Sequence, residues 1–266
     1  MQFPAIDPVF LSIGPLQFRW YGLMYVLSFI ATYFIIRSEV ARKKLSLTSD
    51  DIADLVFYGA MGVVLGGRSG YILFYNLGFY LANPLKLFAV WEGGMSFHGG
   101  FLGVTLAFRL FASRKKVPFL ALADMAAICA PVGLGLGRIG NFINGELYGR
   151  ATDAAWGIIF PGSDGVPRHP SQLYEAFLEG LLLFFIVRTL SRRYPATGLA
   201  CWSFIAGYGL FRFIVEFFRQ PDAQLGTFFG LLSMGQLLSL PMFLLGCVFV
   251  FKLSRYPLAE AHRNKV

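Results

Sequence analysis

Seven apolar runs dominate the chain, over about residues 18–36, 52–75, 93–110, 117–137, 172–190, 198–217 and 231–251. A helix needs about 17 to 25 predominantly apolar residues to cross the hydrocarbon core of a bilayer, and several of these runs reach that length. Composition agrees. Of the 266 residues 56% are hydrophobic and only 14% charged, with a mean hydropathy of +0.60, whereas about a quarter of a soluble domain is charged. The expected fold is an all-α polytopic membrane protein, a single integral membrane domain over residues 1–266 with seven transmembrane helices. The first residues show no basic segment followed by a short apolar core, so no cleavable signal peptide is expected. Cys129, Cys201 and Cys247 each stand alone in an apolar run, which points to packing and not to a disulfide framework or a metal site.

The net charge of +8 would suggest nucleic acid in a soluble protein, but its placement points elsewhere. Fifteen of the 23 Lys and Arg fall in alternate connections and the tail: Arg37, Arg42, Lys43 and Lys44, then Arg109, Arg114, Lys115 and Lys116, then Arg188, Arg192 and Arg193, and finally Lys252, Arg255, Arg263 and Lys265. The positive-inside rule puts that side in the cytoplasm and the N-terminus outside. An odd number of spans requires the same. The other eight are Arg19, Arg68, Lys86, Arg138, Arg150, Arg168, Arg212 and Arg219, seven of them arginine. The planar guanidinium fork suits bidentate recognition of phosphate or carboxylate. Arg68, in "VVLGGRSGYILFY", and Arg212, in "GYGLFRFIVEFF", interrupt apolar sequence, where a charge is expensive and usually functional. Residues 76–92 are too aromatic for a free loop and are expected to form an interfacial or re-entrant arm. Residues 138–171, rich in turn signals, are expected to form a small outer cap. On the inner side, Asp54 and Asp124 fit helix ends.

The stretch "GLGRIGNFINGELYGR" at 135–150 carries two arginines, two asparagines and a glutamate between apolar stretches. Its G-x-G-x-x-G follows a helical membrane run and not a strand, so the dinucleotide fingerprint is rejected. Gly133 and Gly137, like Gly62 and Gly66, have the spacing of close helix packing. Arg138 can bind a phosphodiester while Asn141 and Asn144 donate to its remaining oxygens, or it can pair internally with Glu146. His98, in "MSFHGG", is either a packing residue or a base, since an imidazole titrates near neutral pH. Tyr208, Arg212, Glu216 and Arg219 share one helical face, which fits a buried salt-bridge ladder, a second phosphate-facing arginine steadied by Glu216, or both. Tyr21 is an interfacial anchor or a headgroup ligand. Glu175, at the start of the fifth run, reads as structural.

Taken in order, "FRWYGLMY", "GGRSGYILFYN", "WEGGMSFHGG", "GRIGNFINGELYGR", "RHPSQLYEA" and "GYGLFRFIVEFFRQPD" closely resemble bacterial prolipoprotein diacylglyceryl transferases, over about residues 7 to 245. Only the loop between "ELYGR" and "RHPSQLYEA" is short for that family. The resemblance implies a seven-span enzyme of the bacterial inner membrane, with a periplasmic N-terminus and cap and a cytoplasmic C-terminus. It implies transfer of the diacylglyceryl group of phosphatidylglycerol to the lipobox cysteine of preprolipoproteins. The matching positions are Arg138 as the signature phosphatidylglycerol-binding arginine and Arg212 as the second essential one. His98, Tyr21, Asn141, Gly149, Glu146, Tyr208 and Glu216 match further functional positions.

The chemistry fits these residues. The nucleophile is the substrate's thiol, only a few per cent ionised at neutral pH, and either His98 or the field of the arginines alone would raise that fraction. Arg138 and Arg212 are expected to hold the phosphate and stabilise the departing charge. Asn141, Asn144, Glu146, Gly149, Tyr21, Tyr208, Glu216 and Arg68 complete the expected substrate-binding set. Guanidinium groups supply the positive charge, so no metal and no cofactor are expected. The expected partners are phosphatidylglycerol, lipobox preprolipoproteins and membrane lipid, with no nucleic acid. The rival reading is a transporter of an anionic solute, but no internal repeat is found and the intramembrane charges lie toward one face.

Overall fold

The computed structural model describes residues 1–89, 93–194, 196–220, 227–228 and 232–255. The elements are β1 (Val9–Ile13), β2 (Leu16–Arg19), α1 (Trp20–Lys43), α2 (Ser49–Tyr75), α3 (Leu77–Ala82), a 3₁₀ turn (Pro84–Phe88), α4 (Phe97–Lys115), α5 (Phe119–Ile143), α6 (Ser171–Glu175), a π-helical segment (Ala176–Leu182), α7 (Leu183–Arg193), α8 (Leu199–Val215), β3 (Thr227–Phe228), β4 (Leu232–Ser233) and α9 (Met234–Ser254). Helices occupy all seven predicted runs, and α1, α5 and α9 are long and apolar enough to cross a membrane. Residue 231 at the start of the last run, residues 90–92 of the arm, and Arg263 and Lys265 of the tail lie outside the described residues. The chain divides into two compact units, Tyr33–Ala123 on the one hand and Met1–Thr32 with Asp124–Val266 on the other.

In the unit Tyr33–Ala123, local chemistry sets the helix ends. Thr48 Oγ1 accepts from the Asp51 amide at 3.1 Å while Asp51 Oδ2 accepts from the Thr48 amide at 2.9 Å, a reciprocal cap that satisfies two donors left over at the start of α2. Ser96 does the same singly for α4, accepting from Gly99 N at 3.2 Å. Lipid removes the hydrophobic drive between helices, so association rests on close packing of small residues. A Cβ on Gly62 would lie 2.8 Å from the Gly103 carbonyl oxygen, and one on Gly70 2.8 Å from Gly99 Cα. Gly66 faces Gly99 and Gly103 in the same way. The packing role expected of Gly62 and Gly66 is therefore met by α4. An apolar cleft of about 380 Å³ runs along this pair of helices. The arm is α3 and the 3₁₀ turn, with Leu81, Leu85 and Phe88 more than 70% exposed.

In the other unit, β1 and β2 pair antiparallel and lead directly into α1. The close packing expected of Gly133 and Gly137 is not found, since nothing would meet a Cβ at either. The contact belongs to Gly135, where a Cβ would lie 3.1 Å from Gly180 Cα in the π segment; the small residue that matters is the one on the face turned to the neighbour. α8 packs on α9, with Trp202 stacked on Phe249 at 4.0 Å and Ala206 against Gly246. Asp124 does cap a helix, though not its own: its carboxylate accepts from Gly198 N at 2.8 Å and Cys201 N at 3.1 Å, at the positive end of α8. Of the cysteines Cys129 is buried, but Cys247 lies exposed, contrary to the packing expectation. α5 continues to Ile143, so the stretch 138–171 starts as helix and becomes non-helical only at residue 144, because Ile139, Phe142 and Ile143 keep the apolar pattern going.

Candidate active site

Arg138 belongs to α5, Glu175 ends α6, Arg212 lies in the last turn of α8, and Glu216 and Arg219 follow that turn. Arg138 Nε pairs closely with Glu175 Oε2. Arg212 Nη2 stands 3.0 Å from Glu216 Oε2, and its Nη1 lies 3.7 Å from Glu175 Oε2. Arg219 joins both carboxylates, with Nε 3.9 Å from Glu175 Oε1 and Nη1 3.8 Å from Glu216 Oε2. The three guanidinium side chains keep 14 to 19% of their exposure while Glu175 and Glu216 are buried. Like charges gather this closely only when carboxylates stand between them. The face shared by Arg212, Glu216 and Arg219 is thus a real ladder. Glu216 is fixed further by Ser233 Oγ, which donates to Oε1 at 3.1 Å, and by Gly235, where a Cβ would come within 3.0 Å of its carboxylate.

Arg138 does not pair with Glu146. Instead Asn141 Nδ2 and Asn144 Nδ2 donate to Glu146 Oε1 at 2.9 and 3.2 Å, and Gln172 Nε2 donates to the Glu146 carbonyl at 2.6 Å. The asparagine amides expected to point at a phosphate are spent on an exposed carboxylate, which they hold in place. Tyr21, at the start of α1, packs on Gly140, where a Cβ would lie 2.7 Å from its ring, and its hydroxyl is 3.4 Å from that of Tyr25. Gly149 lies in extended backbone that pairs with Arg219 and donates to the His169 carbonyl at 2.8 Å. A Cβ there would meet Phe218 O and lie 2.9 Å from His169, so the residue is demanded by close backbone approach. Tyr208, half-buried on α8, stacks on Phe204.

The remaining candidates belong to the unit Tyr33–Ala123. His98 is exposed in the first turn of α4, its ring edge-on to Phe97 at 5.7 Å. Arg68 is buried, and its guanidinium donates to the carbonyls of Leu87 at 3.1 Å, Lys86 and Gly93 at 2.5 Å, Ala89 at 3.2 Å and Gly94 at 3.3 Å, under the ring of Tyr80. Its donors serve the arm, an arrangement that an intramembrane arginine in a sequence does not reveal.

Sequence reasoning missed Glu175 as the hub of the cluster and left Arg219 and Glu179 outside the expected set. The available signal was the pair of acids spaced i, i+4 in an otherwise apolar helix. Outside the membrane segments, Arg168 holds the Asp164 carboxyl below its usual range and is itself raised by it, while burial lowers the His169 imidazole.

Apolar helices around a buried knot of arginines and carboxylates define a helical membrane protein with a polar centre suited to an anion. The family model for prolipoprotein diacylglyceryl transferase matches residues 8–252, and the chain belongs to that family. It is 67% identical over 255 residues to the phosphatidylglycerol–prolipoprotein diacylglyceryl transferase of Geobacter sulfurreducens, covering 96% of this chain and 98% of the relative. It is 51% identical over 250 residues to the proteins of the same name from Photobacterium profundum, covering 94% of each chain, and from Vibrio campbellii, covering 94% of this chain and 92% of the relative.

Proposed function

We propose that the chain transfers the sn-1,2-diacylglyceryl group of phosphatidylglycerol to the lipobox cysteine of preprolipoproteins, forming a thioether and releasing glycerol phosphate. The observation that carries this reading is the half-buried cluster of Arg138, Arg212 and Arg219, in which the buried Arg212 Nη1 has no hydrogen-bond partner among the described residues. A buried donor without an acceptor is costly, and an anionic phosphate would satisfy it.

In the reaction the thiolate attacks the lipid carbon bonded to the phosphate ester oxygen, the C–S bond forms, and the C–O bond breaks with its electron pair leaving on glycerol phosphate. Arg138 and Arg212 hold the phosphate and stabilise the charge that grows on it. Glu175 and Glu216 hold the guanidinium groups in register. The exposed Glu146 carboxylate, fixed by Asn141 and Asn144, is suited to accept the hydroxyls of a glycerol headgroup, with Tyr21 and Tyr208 at the edges of the site. His98, which matches a functional position of the family, is the proposed base for the thiol proton. Arg68 clamps the arm. The family match and the asymmetric basic residues support a bacterial inner-membrane location with seven spans, a periplasmic N-terminus and a periplasmic cap over about residues 144–170.

The test uses purified protein in phosphatidylglycerol micelles with a lipobox peptide, following thioether product and released glycerol phosphate together. Wild type is expected to make both. Arg138→Ala should remain folded and make neither, and His98→Gln should slow thioether formation. Folded wild type that makes neither product would overturn the assignment.

A further inference from the structure

Leu147 adopts a left-handed backbone, with φ of 59°. Glycine takes that conformation freely, as Gly145 does two residues earlier at 68°, whereas a bulky side chain there is a steric outlier. Leu147 is also 47% exposed, so burial of its own side chain does not offset the strain. What holds the turn is a pair of fully buried side chains from α6. Gln172 Nε2 donates to the Glu146 carbonyl at 2.6 Å, and Ser171 Oγ donates to the Leu147 carbonyl at 3.2 Å. The other end of the Gln172 amide, Oε1, is buried with no hydrogen-bond partner among the described residues. A leucine of similar shape would avoid that cost, so the use of a glutamine at this point lies in its Nε2. Strain of this kind persists only where its surroundings over-determine it, and it concentrates at functional sites.

We infer that Gln172 is a positioning residue for headgroup specificity: through the Glu146 carbonyl, and with Ser171 on the next one, it holds the left-handed turn that presents the Glu146 carboxylate to the hydroxyls of a phosphodiester lipid. The inference rests on the proposed function, which gives that carboxylate the glycerol headgroup. Glu146 Oε1 is taken by Asn141 and Asn144, while Oε2 accepts no hydrogen bond among the described residues and the side chain is exposed. Asn141 follows Arg138 by three positions, on the same face of α5. The carboxylate is thus anchored about one helical turn along from the guanidinium that is to hold the phosphate. A headgroup hydroxyl donates to a carboxylate oxygen, and a headgroup without hydroxyls has nothing to donate. Gln172 is fully buried and does not touch the lipid. It fixes the backbone of the turn while the two asparagines fix the side chain.

The experiment measures equilibrium binding of two lipids with the same acyl chains to the full-length protein in detergent. One is phosphatidylglycerol; the other is phosphatidylmethanol, a phosphodiester of the same charge whose headgroup has no hydroxyl. Wild type should prefer phosphatidylglycerol by about tenfold, the scale of a hydrogen bond to a charged acceptor. Gln172→Leu should bring phosphatidylglycerol down to the level of phosphatidylmethanol and leave phosphatidylmethanol binding as it was. Glycine adopts the left-handed turn unaided, so adding Leu147→Gly to Gln172→Leu should restore most of the preference. Leu147→Ile, at an exposed position and with a branched side chain that disfavours the turn further, should weaken the preference by itself. A merely structural glutamine would instead lower binding of both lipids equally. That equal loss, a preference that survives in folded Gln172→Leu, or no recovery with Leu147→Gly would overturn the inference. If Gln172→Leu does not fold, an unchanged preference in Leu147→Ile does so. Wild type without any preference also overturns it. Binding needs no turnover, so a protein with the expected preference that forms no thioether would count against the proposed function and not against the role of Gln172.

Discussion

Arg212 Nη1 stands 3.7 Å from Glu175 Oε2, inside ion-pair range but beyond a hydrogen bond. The carboxylate holds the guanidinium in place without consuming that donor. A phosphate oxygen arriving between Arg138 and Arg212 would find it free.

Arg212→Ala is therefore expected to lower the transfer rate by about a hundredfold or more, about 3 kcal/mol of lost stabilisation of the departing charge. Arg212→Lys should recover only part of it, because an ammonium cannot bridge Glu216 and a phosphate with a planar fork. Steady-state kinetics with phosphatidylglycerol checks both, and a fall in kcat larger than the rise in KM identifies stabilisation of the leaving group.

Glu175→Gln should be harsher on stability than on contact with the lipid. Removing the carboxylate common to Arg138, Arg212 and Arg219 takes away the ion-pair partner of Arg138 and weakens the field on the other two, at about 3 kcal/mol. The expected result is a large drop in the thermal unfolding temperature in detergent, partly restored by added phosphatidylglycerol because ligand bound to the native state alone stabilises it.

Asp51 and Lys115 join the start of α2 to the end of α4, outside the predicted spans. The Lys115 ammonium, helped by the Thr48 amide, lowers the Asp51 carboxyl from 3.8 to about 2. A folded value below the unfolded one means that the pair stabilises the protein above about pH 4, and that this contribution is lost as pH falls from there toward 2. Lys115→Ala should return Asp51 to the ordinary carboxylate range, read by NMR titration of labelled aspartate, and flatten that acid limb of the unfolding curve.

Arg68→Lys should loosen the arm without removing the charge. A lysine cannot reach five carbonyls, and each buried acceptor left without a donor costs about 1–3 kcal/mol. Faster amide exchange and proteolysis confined to residues 77–94 would report the loss, whereas uniform destabilisation would show that Arg68 supports the helices instead.

Much of this architecture could be read from the sequence because lipid imposes a simple rule: apolar length becomes helix. All seven runs became helices, and Gly62 and Gly66 found a partner in α4 as their spacing implied. Arg138 and Arg212 share the Glu175 carboxylate, and Arg212 also takes Glu216; such residue types have few reasons to lie in apolar sequence. What the sequence concealed was partner choice. Arg138 takes Glu175, 37 positions away, in preference to the nearby Glu146, because helix packing and not chain proximity decides which carboxylate is reached. Arg68 looked like a ligand for a headgroup until the carbonyls of the arm occupied it. Gly133, Gly135 and Gly137 are equivalent in composition, and only the direction of the neighbouring π segment separates them.

That π segment also restricts how the gene can change. Its seven residues, Ala176–Leu182, make wider turns than an α-helix. Deleting one codon there would close the wide turns to ordinary winding and leave α7 nearly in phase, whereas a deletion within α7 itself would rotate everything beyond it by about 100°. A one-residue loss in Ala176–Leu182 should therefore cost the local placement of that segment's own side chains before it costs the packing of α7.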